Sequence, residues 1–252
     1  MNRYGRQLVL PELGEAGQTA LSDASVTLVG CGGLGNLAAA YLAGAGVGRI
    51  NLVDHDHLSL DNLHRQVLYT EDDVALPKAE QLARRLAQLN SEVDVVAHTQ
   101  RAEASLLKEL LAQSDLVLDC CDNYPTRYLI NQQCVQHRVS LVSAAAIRLD
   151  GLVLALEPGR QGRACYACVF PEAEQARAES CSDSGVLGPS VGVVASWQAA
   201  LALQILTGRG QADILWRWSA ASGRLTSAQV SKDPECVSCG SAGLGTAALP
   251  RS

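Results

Sequence analysis

The first part of the chain alternates short apolar runs with small residues at helical spacing. Residues 25–29 form a β-branched, apolar run that ends at the glycine-rich turn of residues 30–35, and residues 36–45 have the composition of a helix. Residues 49–54 form a second apolar run, which ends at Asp54. The pattern predicts a strand, a glycine turn, a helix and a parallel strand, which together make a βαβ unit.

The same alternation continues to about residue 156. Helices are predicted where apolar residues recur at helical spacing, and strands where short apolar runs occur. The predicted helices are 77–90, 106–111 and 124–137, and the predicted strands are 93–97, 115–120, 140–145 and 152–156. The last of these strands is predicted to be antiparallel to its predecessor, because the connection between them is short. We therefore expect an α/β fold with a doubly wound, Rossmann-like, mostly parallel sheet.

The alternation stops after this strand. The remainder is predicted to contain a long loop at 159–184, a helix at 191–207, antiparallel strands at 214–219 and 225–230, and a flexible tail at 241–252. The apolar stretch 186–206 contains interrupting polar residues, which favours a buried helix over a membrane span. The net charge of −6 argues against binding to nucleic acid or to an anionic membrane by charge. The chain starts without a signal-peptide pattern, so we expect a cytoplasmic protein.

The glycine turn is the first feature that indicates a ligand. Gly30 permits a tight turn, Gly32 allows a phosphate to approach the backbone, and Gly35 allows the helix to pack on the strand. Asp54, at the end of the second strand, is placed to accept hydrogen bonds from ribose hydroxyls. The glycines could instead serve packing alone, and Asp54 could be a solvated carboxylate. These features fit an ATP-binding enzyme and a dinucleotide-dependent dehydrogenase equally well.

Residues beyond the second strand favour a triphosphate. Asn62 and Arg65 supply an amide and a guanidinium, and Lys78 follows at the start of the next helix. Arginine and lysine stabilise negative charge on phosphate oxygens during phosphoryl or nucleotidyl transfer. The alternative for Lys78 is an ordinary solvated lysine at a helix start.

Two polar residues follow the predicted strand at 115–120. Asp122 and Asn123 lie where open α/β sheets bind ligands, at the carboxyl ends of the strands. Asp122 has the chemistry to hold Mg²⁺ against ATP phosphates. It could instead, or at the same time, be the N-cap of the next helix.

Nine cysteines call for an explanation other than disulfides in a cytoplasmic protein. Cys165 and Cys168 form one CxxC pair, and Cys236 and Cys239 form another, so four thiolates are available for a structural zinc ion. A redox CxxC is the alternative, but neither pair is predicted to open a helix. Cys181 stands apart in the long loop, where it is either a reactive thiol or a tolerated loop residue. The other cysteines are predicted to be core residues, and the histidines are assigned no role.

Taken together, these motifs resemble the ThiF/MoeB/HesA group, the bacterial relatives of ubiquitin-activating enzymes. The resemblance runs through nearly the whole chain and is carried by residues 3–7, 30–35, 54–56, 62–66, 77–78 and 119–123 and by both CxxC pairs. It implies that Gly33, Asp54, Asn62, Arg65, Lys78 and Asp122 form an ATP site, with Asp122 on Mg²⁺. It also implies that Arg6 reaches the ATP of a partner subunit in a homodimer, and that Cys181 is the reactive cysteine of the family.

The resemblance further implies the reaction. Members adenylate the C-terminal glycine of a small ubiquitin-like sulfur-carrier protein, which ends in Gly-Gly, and release pyrophosphate. The chain would then be one adenylation domain, 1–252, with a nucleotide-binding half at about 20–145 and a carrier-binding, zinc-bearing half at about 146–240. The sequence shows no rhodanese-like extension, so we expect a separate sulfur donor protein.

Some residues depart from the family pattern. Cys121 stands where threonine is usual, Asp61 where a small polar residue is usual, and residues 182–184 differ from the familiar loop versions. The pathway therefore stays open between molybdopterin, thiamine and a specialised thio-metabolite. Two other functions also stay open, an NAD(P)-dependent oxidoreductase and a carrier-binding scaffold without catalysis.

Overall fold

A computed structural model describes residues 3–171 and 185–240, and a single eight-stranded sheet forms its centre. The strands are β1 Ser25–Val29, β2 Arg49–Val53, β3 Asp94–His98, β4 Leu116–Asp119, β5 Ser140–Ile147, β6 Asp150–Leu156, β7 Ile214–Ser219 and β8 Arg224–Gln229. Their order across the sheet is β3-β2-β1-β4-β5-β6-β7-β8. Strands β1 to β5 pair in parallel, and β6, β7 and β8 pair antiparallel. This topology confirms the predicted doubly wound, mostly parallel sheet with antiparallel C-terminal strands.

Helices cover both faces of the sheet. They are α1 Gly5–Leu8, α2 Gly14–Asp23, α3 Gly33–Ala45, α4 Lys78–Leu89, α5 Ala104–Leu111, α6 Tyr124–His137, α7 Tyr166–Val169 and α8 Gly188–Leu206. Apolar residues of α2, α3, α4 and α8 form one core cluster with the sheet, and those of α5, α6 and α7 form another. Both halves of the chain therefore share one sheet, which they cover with two hydrophobic layers.

Helices α1 and α2 were not predicted from the sequence, and α3 and α8 begin earlier than predicted. Helix α2 buries only Gly17 and Leu21, so it lacks the apolar periodicity from which helices are predicted. Helix α3 begins at Gly33 and α8 at Gly188, each three residues before its predicted start. Both helices start with glycine, and α8 has proline at its second position. These residues have low helix propensity, so propensity alone does not predict the first turns.

Helix α8 belongs to the core. Its length and composition would also allow it to cross a membrane. In the structure it packs against α3, β5 and β6, and its polar residues Ser190 and Gln198 are fully buried. The contacts therefore agree with the interpretation of this stretch as a buried helix.

The carboxyl ends of β1, β2 and β4 lie side by side. Val29 of β1 is in register with Val53 of β2 and with Asp119 of β4. The glycine turn, Asp54 and Asp122 follow these three strand ends, so the fold gathers the predicted chemistry at one edge of the sheet.

Candidate nucleotide site and cysteine cluster

A cleft of about 1020 Å³ opens at this edge of the sheet. Its lining includes these predicted site residues: Gly30, Gly32, Gly33, Asp54, Asn62, Arg65, Lys78, Asp122 and Asn123. Residues scattered over more than ninety positions of sequence thus face one volume, which is large enough for a nucleotide.

The glycines of the turn have different tasks. Gly30 adopts φ +95°, and a Cβ there would lie 2.7 Å from the carbonyl oxygen of Cys120. Gly35 lies outside the cleft lining, and a Cβ there would lie 1.8 Å from the carbonyl oxygen of Gly30. At Gly32 a Cβ would meet only the side-chain nitrogen of Gln66, at 3.6 Å. Gly30 and Gly35 therefore allow the turn to form, whereas Gly32 leaves its backbone open to a ligand.

Asp54 holds the glycine turn in place. Its carboxylate accepts hydrogen bonds from the backbone N–H of Cys31 at 2.7 Å and of Asp56 at 2.9 Å. Burial raises the pKa of Asp54, and these two N–H donors act in the opposite direction. The carboxylate also lines the cleft, so it can bind the turn and still face a ribose.

Two buried amide side chains form part of the cleft wall. Asn62 is 7% exposed and Gln66 is 3% exposed. The side-chain oxygens of both lack a hydrogen-bond partner among the residues that the structure describes. Buried polar atoms are nearly always hydrogen-bonded in native proteins, so these oxygens mark places where a ligand or water completes the structure.

The two predicted cations differ in how firmly they are held. Lys78 is 7% exposed, and its ammonium group lies 3.1 Å from a carboxylate oxygen of Asp56. This burial contradicts the alternative of a solvated lysine. Arg65 is partly exposed and donates from Nη1 to the carbonyl oxygen of Asp61 at 3.0 Å. Its remaining N–H groups offer the fork that suits phosphate oxygens.

Asn123, and not Asp122, caps the helix that follows β4. The side-chain oxygen of Asn123 accepts a hydrogen bond from the N–H of Thr126 at 3.0 Å, as an N-cap residue does. The alternative of Asp122 as the N-cap is therefore wrong, since the structure places it one residue before that position. Asp122 is exposed at the cleft, and its carboxylate accepts only a 3.4 Å contact from the Asn123 amide within the described ranges.

The predicted site residue Arg6 lies away from the cleft of its own chain. Arg6 is exposed on α1, and the neighbouring Gln7 donates to the carbonyl oxygen of Ala45 at the far end of α3. Helix α3 starts at the cleft and rises about 18 Å over its length, so Arg6 lies far from the cleft of its own chain. Cys181 lies outside the described residues, as does the predicted tail at 241–252.

Sequence reasoning missed Arg127, a buried cation at the cleft. It is 5% exposed, and its guanidinium pairs with Asp119 at 2.9 Å. A signal was present in the sequence, because Arg127 precedes the buried residues Ile130, Asn131 and Cys134 at helical spacing. A charged side chain on the buried face of a helix requires a partner, and that partner often lies at a functional site.

The four predicted metal ligands meet outside the cleft lining. The sulfur atoms of Cys165, Cys168, Cys236 and Cys239 all lie within 4.8 Å of one another. The shortest separations are 3.4 Å between Cys168 and Cys239 and 3.6 Å between Cys165 and Cys236. A tetrahedral zinc ion with Zn–S bonds of about 2.3 Å needs sulfur atoms about 3.8 Å apart. The donor set and its spacing therefore fit zinc.

The prediction that neither CxxC pair opens a helix is wrong for the first pair. Cys165 does open a helix, the four-residue α7, which is too short to predict from periodicity. The convergence of all four thiols still favours a metal site, since a redox motif needs only one pair. Hydrogen bonding from the Cys165 thiol lowers the pKa of Cys168, the direction that favours a thiolate ligand.

A second cavity of about 670 Å³ lies between α8 and strands β6 and β7. It is lined by all three tryptophans of the chain, Trp197, Trp216 and Trp218. None of the predicted site residues lines this cavity.

Comparisons with known proteins agree with this arrangement. A model of the ThiF family matches residues 4–238. The chain is 41% identical over 206 residues to the sulfur carrier protein ThiS adenylyltransferase of Escherichia coli K12, and the match covers 82% of this chain and 81% of that protein. The crystal structure of E. coli MccB with ATP has a TM-score of 0.80 and 26% identity, covering 95% of this chain and 75% of that chain.

A longer relative matches as well. The chain is 43% identical over 242 residues to the adenylyltransferase and sulfurtransferase MOCS3 of Danio rerio. The match covers 94% of this chain and 52% of the relative, so the chain spans about half the length of that protein. With a family model over nearly its whole length and a close relative matched over most of both chains, this protein belongs to the ThiF family.

Proposed function

We propose that the protein is an ATP-dependent adenylyltransferase that activates the C-terminal glycine carboxylate of a small ubiquitin-like sulfur-carrier protein. The observation that carries this proposal is the single cleft that combines the glycine turn with Asp54, Asn62, Arg65, Lys78 and Asp122. The names of the relatives, an adenylyltransferase of the carrier ThiS among them, support the same activity.

The reaction joins two negatively charged partners. A carboxylate oxygen of the carrier's terminal glycine attacks the α-phosphorus of ATP and forms an acyl-adenylate. The bond from the α-phosphorus to the bridging oxygen breaks, and its electron pair leaves with pyrophosphate. Negative charge on the phosphate oxygens grows in the transition state, so fixed cations close to them accelerate the step.

The nucleotide is bound by the residues around the glycine turn. The open backbone at Gly32 receives phosphate oxygens together with the first turn of α3, because N–H groups at a helix start are free to donate. Asp54 accepts from the ribose hydroxyls. The side-chain oxygen of Asn62, which has no hydrogen-bond partner in residues 3–171 and 185–240, accepts a hydrogen bond from the ligand.

Charge stabilisation falls to Arg65, Lys78 and a magnesium ion. Arg65 binds phosphate oxygens through its fork, and Asp56 holds the ammonium group of Lys78 in the cleft. The exposed carboxylate of Asp122 fits Mg²⁺, which prefers oxygen ligands and commonly binds one or two carboxylates together with substrate phosphates. Bound Mg²⁺ supplies positive charge that offsets the charge of the triphosphate.

The proposed partners are a second subunit, the carrier and a sulfur donor. Arg6 contributes from a second subunit, since its neighbour Gln7 contacts the end of α3 that is far from the cleft of its own chain, and a homodimer is thus the active form. The carrier binds to the half at about 146–240, and the Cys181 thiol attacks the glycine carbonyl carbon of the acyl-adenylate, so that a thioester forms, AMP leaves and the thiol proton is released. A separate protein in the cytoplasm then donates sulfur to this carbon, and the Cys181 thiolate leaves.

The zinc ion has a structural role in this proposal. Its ligands come from the α7 region and from residues 236–239, which follow the last strand. Binding joins the C-terminal segment to α6 and α7, and the ion lies away from the cleft lining. A closed site with four cysteines leaves no position for a substrate.

Pyrophosphate exchange tests the proposal. The wild-type chain is incubated with ATP, Mg²⁺, labelled pyrophosphate and a carrier that ends in Gly-Gly. We expect label in ATP with this carrier and none with the same carrier lacking its terminal glycine. An increase of the melting temperature by NADH and not by ATP with Mg²⁺ would instead favour the oxidoreductase alternative.

A further inference from the structure

Arg127 is a cation at the cleft for which the proposed reaction has no direct use. It lies on the first turn of α6, five residues after Asp122, and its side chain is 5% exposed. Burial acts to lower the pKa of Arg127, but the Asp119 carboxylate and the other groups around the guanidinium together raise the pKa, so the guanidinium stays charged. Burying a charged guanidinium costs its hydration free energy, so it occurs only where hydrogen bonds and an opposite charge offset that cost.

The guanidinium makes hydrogen bonds to three separate stretches of backbone and side chain. Nη1 donates to the Asp119 carboxylate and to the Ser143 hydroxyl, each at 2.9 Å. Nη2 donates to the carbonyl oxygen of Ala144 at 2.8 Å and to that of Cys121. These contacts join the end of β4, the turn after it and the neighbouring strand β5.

The contact with Cys121 is the informative one. Its carbonyl belongs to the peptide that leads directly into Asp122, so the orientation of that peptide fixes the start of the Asp122 backbone. On the other side, the Asn123 side chain caps α6 through Thr126. The backbone on both sides of Asp122 is therefore fixed, although its carboxylate is exposed.

A second support reaches the same turn from the opposite face of the sheet. The side-chain nitrogen of Gln198, on α8, donates to the carbonyl oxygens of Asp119 at 3.0 Å and of Val142 at 2.9 Å. This contact holds the end of β4 but does not reach the peptide of Cys121. Within the described part of the chain, Arg127 is the side chain that binds the Cys121 carbonyl.

We infer that Arg127 is a positioning residue, which orients the peptide between Cys121 and Asp122 and thereby places the Asp122 carboxylate for its metal ion. The inference rests on the proposed function, in which Asp122 holds Mg²⁺ against ATP. Arg127 itself touches neither nucleotide nor carrier in this scheme. Its planar fork is required because one group must reach a carboxylate and two carbonyls at once, which a lysine cannot do.

The variant Arg127→Lys tests this inference, because it keeps a positive charge beside Asp119 and loses the fork. ATP affinity is measured by titration with and without Mg²⁺. We expect wild-type affinity without Mg²⁺, and a gain on adding Mg²⁺ that is about tenfold smaller than in the wild type. A purely structural role would weaken binding equally in both conditions, and that result, like an unchanged gain, would overturn the inference.

Three further variants sharpen the measurement. Arg85→Lys is the matched control, since Arg85 pairs with Asp73 at 2.8 Å outside the cleft lining, and its Mg²⁺-dependent gain should equal that of the wild type. Adding Arg127→Lys to Asp122→Ala should cause no further loss of that gain, because the two act in series. If Arg127→Lys does not fold, Arg127→Gln combined with Asp119→Asn removes both buried charges together and gives the same readout.

Failure of the proposed function has a different signature. A wild-type chain that does not bind ATP, or binds it without any effect of Mg²⁺, would contradict the adenylyltransferase and the metal role of Asp122. A wild-type chain that shows the Mg²⁺-dependent gain, together with an Arg127→Lys variant that retains all of it, would contradict only the positioning role.

Discussion

The nucleotide cleft and the cysteine cluster are built in opposite ways. In the cleft, the side-chain oxygens of Asn62 and Gln66 find no partner in the described part of the chain, and Asp122 is exposed. In the cluster, four sulfur atoms already stand within 4.8 Å of one another, and three of the four cysteines are buried. A site that exchanges ligands keeps polar groups available for them, whereas a structural metal site is closed by the protein itself. The two sites should therefore fail separately when residues are replaced.

Replacing Asp122 should separate the two regions most clearly. We expect Asp122→Ala to lower the rate of pyrophosphate exchange by about 10²–10³-fold, the range seen when one group that stabilises transition-state charge is removed. The zinc content and the melting temperature should stay at wild-type values. Asp72→Ala, at an exposed carboxylate outside the cleft lining, is the control and should exchange normally. Full activity in Asp122→Ala would remove this residue from the mechanism.

Replacing a cysteine of the cluster should have the reverse effect. We expect Cys236→Ser to lose zinc, as measured by metal analysis, and to lower the melting temperature by about 10 °C, because folding and metal binding are coupled at structural zinc sites. The affinity of the remaining folded protein for ATP should be nearly unchanged. Cys134→Ala, at a buried thiol outside the cluster, should retain its zinc. Equal zinc content in both variants would contradict the assigned metal site.

Arg6 extends the comparison to a second subunit. Arg6→Ala and Asp122→Ala proteins are each expected to be nearly inactive in pyrophosphate exchange. After their subunits are mixed and allowed to exchange, about a quarter of all sites should be intact, because half of the dimers are hybrids with one complete site each. Self-contained subunits would show no recovery, and this outcome would exclude the shared site.

The smallest expected effect concerns the pH dependence of ATP binding. Burial raises the pKa of Asp54, so the carboxylate takes up a proton at a higher pH than an exposed aspartate does. Protonation removes an acceptor for ribose and for the turn, so ATP affinity should fall a few-fold as the pH falls through this raised pKa. Above that pKa the affinity should be constant. Titration calorimetry of the Asp54→Asn variant should show weaker binding that lacks this acid-side decline.

The same raised pKa has a consequence for stability. The folded protein holds the proton of Asp54 more tightly than the unfolded chain does, so this residue favours folding most at pH values below its unfolded pKa. That contribution is lost as the pH rises through the folded pKa. The contribution of Asp54 to folding stability therefore falls as the pH rises, whereas ATP affinity falls as the pH falls. Urea unfolding without nucleotide measures the first effect, and urea unfolding at saturating ATP includes the second.

The local pattern of the chain was sufficient for most of the fold. Apolar runs and glycine turns placed β1 to β8 within a few residues, because strand and helix periodicity survive in a sheet with buried strands. Helix α2 and the short α7 were missed, since neither repeats an apolar pattern over enough turns. Helix starts at Gly33 and Gly188 were placed late, because the residues there are poor helix formers that the surrounding packing nevertheless holds in helical geometry.

Most residues of the candidate site were also predicted from the sequence, and one was missed. Asp54, Asn62, Arg65, Lys78 and Asp122 were predicted because each has a residue type suited to phosphate, ribose or metal and follows a predicted strand or turn. Arg127 was missed although its position on the buried face of α6 was visible in the spacing. Helical spacing predicts that the Arg127 side chain faces the core, but it does not predict which hydrogen-bond acceptors the guanidinium contacts.

By itself, the sequence determined the order of strands and helices, the glycine turn, the two CxxC pairs and the family to which the chain belongs. These features depend on short-range chemistry: backbone freedom at glycine, side-chain alternation and the spacing of thiols. Only the tertiary structure decided that Asn123 and not Asp122 caps α6, that Lys78 is buried against Asp56, and that Arg127 binds the peptide before Asp122. The Lys78–Asp56 pair joins residues 22 positions apart, and the Arg127 guanidinium also reaches Ser143 and Ala144 on β5, so these contacts need the packed sheet. The Asn123 cap is local, and it depends on the residue at which α6 begins.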